Sequence, residues 1–302
     1  MKLYITRYSD DPARRDLLML HGFLGSGKQF LHLIPELRKR VNPVTLDFEI
    51  KSGNGKSTGM QNKRGDTGTA TGSAFTTETL VEALQSVISG FLRPEPFLLG
   101  YSMGGRLSLS WAVRHAGQLS GLILESSTPG IKEPGERENR RQTDAARALE
   151  IRSNFTAFLE RWESNPLFQR SPCRDNPVSD STPVPPDHER SRPGAISPLA
   201  FLRKIQHQTN PETAAQWLNG FGTGTMPPLW SELYQVTCPV LLITGSADTK
   251  FCNIATQMSG SLPRSRHETV SGAAHRVHID QPDAYLSLIL SFIQESNKQT
   301  PL

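Results

Sequence analysis

The sequence has few cysteines, few aromatic residues and no long apolar run. Its 302 residues include three cysteines, and aromatic residues make up 7% of the chain. Cys173, Cys238 and Cys252 are odd in number and lack the spacing of metal ligands, so we expect no metal site and a reducing compartment. No apolar run approaches membrane-spanning length, and the N-terminus lacks the apolar core of a signal peptide. We therefore predict a soluble, cytoplasmic protein.

The chain also lacks a strong charge of either sign. Its formal net charge is +4, and part of this charge falls in one polar, glycine-spotted stretch, residues 51–73. A balance this mild gives hardly any support to nucleic-acid binding and weakly favours anionic ligands. Because residues 51–73 contain almost no apolar side chain, we expect a mobile, solvated insertion. The alternative for this stretch is a basic lid over an anionic ligand.

Short apolar runs alternate with amphipathic segments along most of the chain. Leu17–Leu20 is apolar throughout, as expected for a strand buried on both faces. Thr76–Leu92 carries an apolar stripe at helical spacing, and we expect a second helix over Gln29–Arg40. The alternation predicts an α/β fold with a doubly wound, mostly parallel sheet.

The alternation is interrupted between residues 128 and 235. Charged and apolar helical segments lie on either side of a stretch rich in proline and serine, residues 171–198. We interpret 128–235 as a helical cap inserted into a core formed by 1–127 and 236–302. Such a cap covers the carboxyl ends of the strands, where sites of this architecture lie.

The motif around which the chain is organised is Gly100-Tyr101-Ser102-Met103-Gly104, between an apolar strand and an amphipathic helix. Gly-x-Ser-x-Gly in that setting is the nucleophile elbow. The serine there has strained backbone, and side chains at the two glycine positions would crowd it. We predict that Ser102 is a catalytic residue.

Two later positions supply the partners that a catalytic serine needs, an imidazole and an acceptor that fixes its tautomer. Asp248 follows the strongest apolar strand, and His275 lies in the loop after the next strand. Taken singly, Asp248 suits a loop cap and His275 a surface histidine. Together, in the order Ser, Asp, His, they predict a catalytic triad. His278 is expected to brace the same loop.

The turn Gly22–Lys28 leaves two interpretations. Gly-x-x-x-x-Gly-Lys after a buried strand is most of a phosphate-binding loop, but Gln29 stands where a serine or threonine would hold magnesium. The other interpretation is an oxyanion loop, in which the N–H groups of Phe23 and Met103 face a developing negative oxygen. We favour the oxyanion loop, with His21 as a structural residue.

Several motifs together resemble one branch of the α/β-hydrolases. They are His21–Gly27, Gly100–Arg106, Leu124–Gly130 followed by Glu136–Arg140, Gly222–Trp230 and Gly245–Phe251. The branch is the 2-succinyl-6-hydroxy-2,4-cyclohexadiene-1-carboxylate synthase family of menaquinone and phylloquinone biosynthesis. The resemblance spans nearly the whole chain except 51–73 and 171–197. It implies an α/β-hydrolase fold and a lyase, and we expect no cofactor.

The resemblance also implies a reaction and roles for the triad. The substrate would be 2-succinyl-5-enolpyruvyl-6-hydroxy-3-cyclohexene-1-carboxylate, which loses a ring proton and then expels pyruvate. Ser102, activated by His275, would act as the base. The alternative function is a serine hydrolase of an ester or carbon–carbon bond that uses the same triad.

A substrate with several carboxylates needs fixed guanidinium groups, which bind carboxylates in bidentate fashion. Arg106 lies one helical turn past Ser102, and Arg140 would reach down from the cap. Alternatively, Arg106 would form a surface salt bridge, and Arg140 would lie on a solvated helix face. Tyr101 and Trp162 would wall the substrate ring, although Trp162 suits the core of the cap equally well.

The chain departs from the family pattern at three positions. Asn54 stands where the branch usually has histidine, Ala274 replaces the usual glycine before His275, and Gln206 falls where the family has a further arginine. The third carboxylate contact is therefore open. We expect a monomer that binds a small polycarboxylate, and neither nucleic acid nor a membrane.

Overall fold

Seven strands form one sheet in the computed structural model, which describes residues 2–49, 75–169 and 196–299. The strands are β1 (Lys2–Arg7), β2 (Asp16–Leu20), β3 (Asn42–Glu49), β4 (Phe97–Tyr101), β5 (Gly121–Glu125), β6 (Val240–Gly245) and β7 (Ser265–Val270). Their order across the sheet is β1-β3-β2-β4-β5-β6-β7. The pair β1–β3 is antiparallel, and the other five pairs are parallel. This confirms the mostly parallel sheet.

Helices pack on both faces of the sheet. In the described residues they are α1 (Ile34–Leu37), α2 (Thr77–Phe91), α3 (Met103–Ala112), α4 (Pro134–Ser153), α5 (Phe155–Glu163), α6 (Pro198–His207), α7 (Pro211–Phe221), α8 (Thr249–Ser259), α9 (Val277–Asp280) and α10 (Pro282–Gln299). Short 3-10 helices cover Gly27–Phe30, Ala116–Gln118, Pro166–Phe168 and Trp230–Gln235.

The continuous helix predicted over Gln29–Arg40 is wrong. The chain forms a 3-10 turn at Gly27–Phe30 and then the four-residue helix α1. Pro35 lies in the first turn of α1, where a missing N–H does no harm. In a longer helix its ring would clash with the carbonyl of Leu31, so the segment divides.

Side chains of the central strands alternate between two separate cores. Leu18 and Leu98 belong to the cluster that packs against α2 and α3, whereas Leu17 and Leu99 belong to the cluster on the α10 side. All four side chains are fully buried. Such two-sided burial explains why these strands are apolar at consecutive positions rather than at alternate ones.

Helices α4 to α7 lie between β5 and β6 in the chain and form a small core of their own. Its members are Leu24, Ala148, Ile151, Phe158, Leu159, Ala214, Ala215 and Leu218. Leu24 comes from the loop after β2, so this core rests on the carboxyl end of the sheet. The cap bounds of 128 and 235 stay a prediction. The predicted insertion 51–73 and most of 171–198 lie outside the described residues.

No helix within the described ranges has both the length and the apolar character that crossing a bilayer requires.

The buried carboxylate of Asp16 links strand β2 to strand β1 and to the segment after α2. Asp16, the first residue of β2, accepts hydrogen bonds from Arg7 Nη1 at 2.6 Å and from the backbone N–H of Arg93 at 2.8 Å. Burial alone raises the pKa of Asp16. The hydrogen bonds and charges of Arg7 and Arg93 outweigh burial and hold this pKa below its ordinary value of 3.8.

We expect Asp16→Asn to lower the free energy of unfolding at pH 7 by about 1.5–3 kcal/mol, because it removes a charge-assisted acceptor. A carboxylate with a lowered pKa stabilises the fold above its ordinary pKa, and this contribution is lost as pH falls through the folded pKa. The difference between the two proteins should therefore shrink below pH 3.8, as measured by urea unfolding.

Asp10→Asn is the matched control. Asp10 contacts the same Arg93 at 2.8 Å, but its side chain is 63% exposed. We expect it to change the free energy of unfolding by less than about 0.5 kcal/mol. Equal losses in both variants would show that burial of Asp16 is not what matters.

Candidate active site

The site begins at the sharp turn between β4 and α3. Ser102 has φ 51° and ψ −105°, in the left-handed half of backbone space that side chains rarely adopt. A Cβ at Gly104 would lie 2.3 Å from the carbonyl oxygen of Leu20, so only glycine allows α3 to pack this close to β2. The turn presents the Ser102 side chain at the carboxyl end of the sheet.

Three side chains distant in sequence meet at this turn. The Ser102 hydroxyl lies 3.0 Å from Nε2 of His275, and Nδ1 of His275 lies 2.6 Å from Oδ2 of Asp248. With Nδ1–H donating to Asp248, Nε2 is left to accept the hydroxyl proton. Asp248 also caps α8, where its Oδ1 accepts the N–H of Phe251 at 3.2 Å. Asp248 therefore caps α8 with one carboxylate oxygen and contacts His275 with the other.

Aromatic rings confine the imidazole of His275. The Phe251 ring lies 4.5 Å away between centroids, the Tyr101 ring 5.6 Å and the Phe168 ring 5.9 Å. His275 is 2% exposed. A ring held this way keeps one rotamer, which is what proton transfer to and from a fixed hydroxyl requires.

The predicted oxyanion donors lie beside the serine. Phe23 and Met103 both line the cavity that opens at Ser102. Met103 is the first residue of α3, so its N–H is one of the donors that the helix itself cannot satisfy. His21 braces the Phe23 loop through Nδ1, 2.8 Å from the carbonyl oxygen of Gly22.

The cavity brings the predicted site residues together. It is lined by Phe23, Tyr101, Ser102, Met103, Arg106, Arg140, Trp162 and His275. Asp248 lies behind His275. Trp162 packs edge-on against Phe23, with 5.2 Å between ring centroids, and it also stacks on Phe158 of the small core. Trp162 therefore serves as pocket wall and as cap packing at once.

Arg106 is a buried cation without a close counter-ion. It is 8% exposed and donates to the carbonyl oxygen of Phe221 at 2.7 Å. In the described parts of the chain no carboxylate lies within 4.0 Å of its guanidinium. Burial, and secondly repulsion from Arg140, lower the pKa of Arg106 to about 9. A site that destabilises a cation to this extent favours the binding of an anion.

Arg140 faces the same cavity from α4. Its Nε–H donates to both carboxylate oxygens of Asp144, at 2.8 and 2.9 Å. Within the described residues its two amino groups make no hydrogen bond, so they remain available to a ligand. The solvated helix face considered from the sequence does not describe Arg140, since the side chain is 32% exposed and lines the cavity.

The phosphate-loop interpretation of Gly22–Lys28 has no support in the geometry. The N–H of Gly27, which would have to face a phosphate, donates to the carboxylate of Asp47 at 2.7 Å. A carboxylate at that position repels a phosphate.

Comparison with known proteins agrees with this geometry. The family profile of the alpha/beta hydrolase fold matches residues 17–282. A Bacillus subtilis protein named "Putative 2-succinyl-6-hydroxy-2,4-cyclohexadiene-1-carboxylate synthase" is 32% identical over 282 residues, which are 93% of this chain and 91% of that protein. The chain belongs to this synthase family of α/β hydrolases.

Two further relatives extend the match along the chain. The 2-succinyl-6-hydroxy-2,4-cyclohexadiene-1-carboxylate synthase of Photorhabdus laumondii is 27% identical, over 99% of this chain and 92% of that one. The solved structure of MenH from S. aureus aligns with a TM-score of 0.76 at 25% identity, covering 98% of this chain and 99% of that one. The synthase family thus accounts for the α/β-hydrolase fold predicted from the sequence.

Several further residues line the cavity, although they were not predicted as site residues from the sequence. They include the cations Arg147, Lys250 and Arg276, and the polar residues Ser126 and Gln206. Lys250 stands in a motif quoted for the family, and Arg276 directly follows the predicted histidine, so both had a signal in the sequence. Ser126 also stands in a quoted motif, Leu124–Gly130, and Gln206 occupies the position where the family has a further arginine, so these two residues had a signal as well.

Gly104→Ala tests the close packing at the turn. Because the new Cβ would meet backbone atoms of β2, we expect a loss of about 1–3 kcal/mol in the free energy of unfolding. Gly90→Ala in α2 is the matched control, since its Cβ would meet no described atom within 4 Å. It should stabilise the protein by about 0.5–1 kcal/mol. Thermal unfolding of both variants decides, and a neutral Gly104→Ala would contradict the packing argument.

Proposed function

We propose that the chain is a 2-succinyl-6-hydroxy-2,4-cyclohexadiene-1-carboxylate synthase, a pyruvate-eliminating lyase. The observation that carries the proposal is the charge of the cavity beside Ser102. Its described lining holds five cationic side chains and no carboxylate. Arg140 and Arg147 pair with Asp144 and Arg276 pairs with Glu163 behind the cavity wall, whereas Arg106 and Lys250 have no described carboxylate within 4.0 Å. A cavity of this charge suits a substrate with several carboxylates and does not suit a neutral ester.

The names of substrate and product define the reaction. A 3-cyclohexene with a 5-enolpyruvyl group becomes a 2,4-cyclohexadiene, so the ring loses a proton at C2 and the enolpyruvyl oxygen at C5. The C3=C4 double bond is replaced by C2=C3 and C4=C5. The departing enolate of pyruvate takes up one proton, so the overall reaction is neutral in protons.

The triad supplies the base. His275 draws the proton from the Ser102 hydroxyl across their 3.0 Å contact, and the Ser102 oxygen removes the proton at C2. Asp248 stabilises the imidazolium that forms. The same imidazolium then returns the proton toward the departing pyruvate enolate. No covalent bond to Ser102 is required.

The oxyanion loop holds the charge that develops. Removing the proton at C2 places negative charge on the oxygen of the neighbouring succinyl carbonyl. The N–H groups of Phe23 and Met103 would hold this oxygen, a contribution of roughly 3–4 kcal/mol per donor by analogy with other oxyanion holes. Arg106 and Arg140 would bind the carboxylates, with Tyr101 and Trp162 against the ring. We also propose that the enzyme acts in the cytoplasm as a monomer. The thiols of Cys238 and Cys252 are free, as expected for a protein in a reducing compartment.

A coupled assay for pyruvate tests the proposal. With the enolpyruvyl substrate we expect pyruvate release that falls by about 10²–10⁴-fold in Ser102→Ala, because the base is lost. Nitrophenyl ester hydrolysis with an acyl-enzyme burst, and no pyruvate, would instead establish a serine hydrolase.

Arg106→Gln tests the carboxylate contact in the same assay. Losing a hydrogen bond to a charged group should lower kcat/KM by about 10–100-fold. Arg114→Gln is the control, because Arg114 follows α3 but is 41% exposed and does not line the cavity. If both variants lose activity equally, or neither does, Arg106 does not bind the substrate.

A further inference from the structure

An ion pair between the buried Arg276 and the partly buried Glu163 joins the loop of His275 to helix α5. Arg276, the residue after His275, is 5% exposed. Its Nη2 donates to Oε1 of Glu163 at 2.7 Å, and its Nη1 donates to Oε2 at 3.1 Å. Glu163 is the last residue of α5, so this bidentate contact bridges two segments far apart in sequence.

Two more contacts reach residues 275 and 276 from the segment that follows α5. The carbonyl oxygen of Leu167 accepts the N–H of His275 at 3.3 Å. The Phe168 ring lies under the Arg276 guanidinium, 3.8 Å from its central carbon, and its edge meets the His275 ring. We name these contacts of Glu163, Leu167 and Phe168 with residues 275 and 276 the clasp.

The guanidinium also reaches the serine side of the site. Arg276 and Tyr101, the residue before Ser102, both line the cavity, and their side chains interact electrostatically. Burial alone lowers the pKa of Arg276, but the hydrogen bond with Glu163 outweighs it and raises the pKa above its ordinary value. Burial likewise raises the pKa of Glu163, and the hydrogen bond from Arg276 holds it below its ordinary value. Both groups are therefore ionised.

We propose that Arg276 is a positioning residue for His275. Glu163 holds the Arg276 side chain, and the contacts of the clasp keep the His275 imidazole in hydrogen-bond contact with Ser102. The guanidinium contacts Glu163 at the end of α5 and the Phe168 ring that follows it, while its backbone continues directly from His275. Its two amino groups already donate to Glu163, so a ligand carboxylate would meet a neutral pair there. The inference rests on the proposed role of the triad but not on the identity of the substrate.

The test measures the reactivity of Ser102 without a charged substrate. Diisopropyl fluorophosphate is neutral and phosphorylates a serine hydroxyl that a histidine activates, with loss of fluoride. We expect Arg276→Gln and Glu163→Gln each to slow this labelling by about 10–100-fold, the range that misplacement of a catalytic group produces. In the pyruvate assay kcat should fall by the same factor, with KM within twofold.

Two further variants separate positioning from a general loss of structure. Arg276→Lys keeps the charge and should recover part of the labelling rate. The double variant Arg276→Gln/Glu163→Gln should label no more slowly than either single variant, because the pair acts as a unit. Arg203→Gln is the control: Arg203 also contacts Glu163, at 3.5 Å, but it is 57% exposed and should leave labelling unchanged.

Each other outcome overturns the inference. Unchanged labelling with a raised KM would make Arg276 a substrate contact, and unchanged labelling with unchanged kinetics would leave only a cap contact. Equal slowing in Arg203→Gln would show a general effect of disturbing Glu163. If Arg276→Gln does not fold, Arg276→Lys and Glu163→Gln decide alone. If no pyruvate forms in any protein, the labelling rates still decide, so the two proposals fail separately.

Discussion

The strained backbone at Ser102 is the constraint on which the site depends. At the same turn α3 approaches β2 so closely that only glycine fits at position 104. One turn of chain thereby supplies three functional groups: the Ser102 hydroxyl, the unsatisfied N–H of Met103 and, one helical turn on, the guanidinium of Arg106. Because they share one rigid element, the proposed base, oxyanion donor and anion-binding group keep a fixed separation.

Charge complementarity is the second determinant of the site. Burying an unpaired guanidinium costs several kcal/mol, so Arg106 is retained at the expense of stability. Asp144 pairs with Nε of Arg140 and Glu163 pairs with Arg276, whereas no described carboxylate lies within 4.0 Å of the buried Arg106. The proposed polycarboxylate substrate would restore the balance of charge. In the proposed function the cations select the substrate and the triad carries out the chemistry.

The sequence patterns predicted the sheet and the site more fully than they predicted the helices. β2 (Asp16–Leu20) extends the predicted apolar run Leu17–Leu20 by one residue, and the structure brings together the predicted Ser102, Asp248 and His275. The helix predicted over Gln29–Arg40 is wrong, because Pro35 lacks an N–H and is accommodated only in the first turn of a helix. The pair of Glu163 with Arg276 could not be read from sequence, since it depends on how the segment after α5 packs on the histidine loop.

The most direct test of the central claim compares the affinity of one unreactive product analogue in two forms. Isothermal titration would measure an aromatic succinyl carboxylate as the free diacid and as its dimethyl ester. We expect the diacid to bind wild-type protein at least about 10-fold more tightly than the diester, and Arg106→Gln to remove this preference. Equal affinity of diacid and diester for the wild-type protein would contradict the central claim.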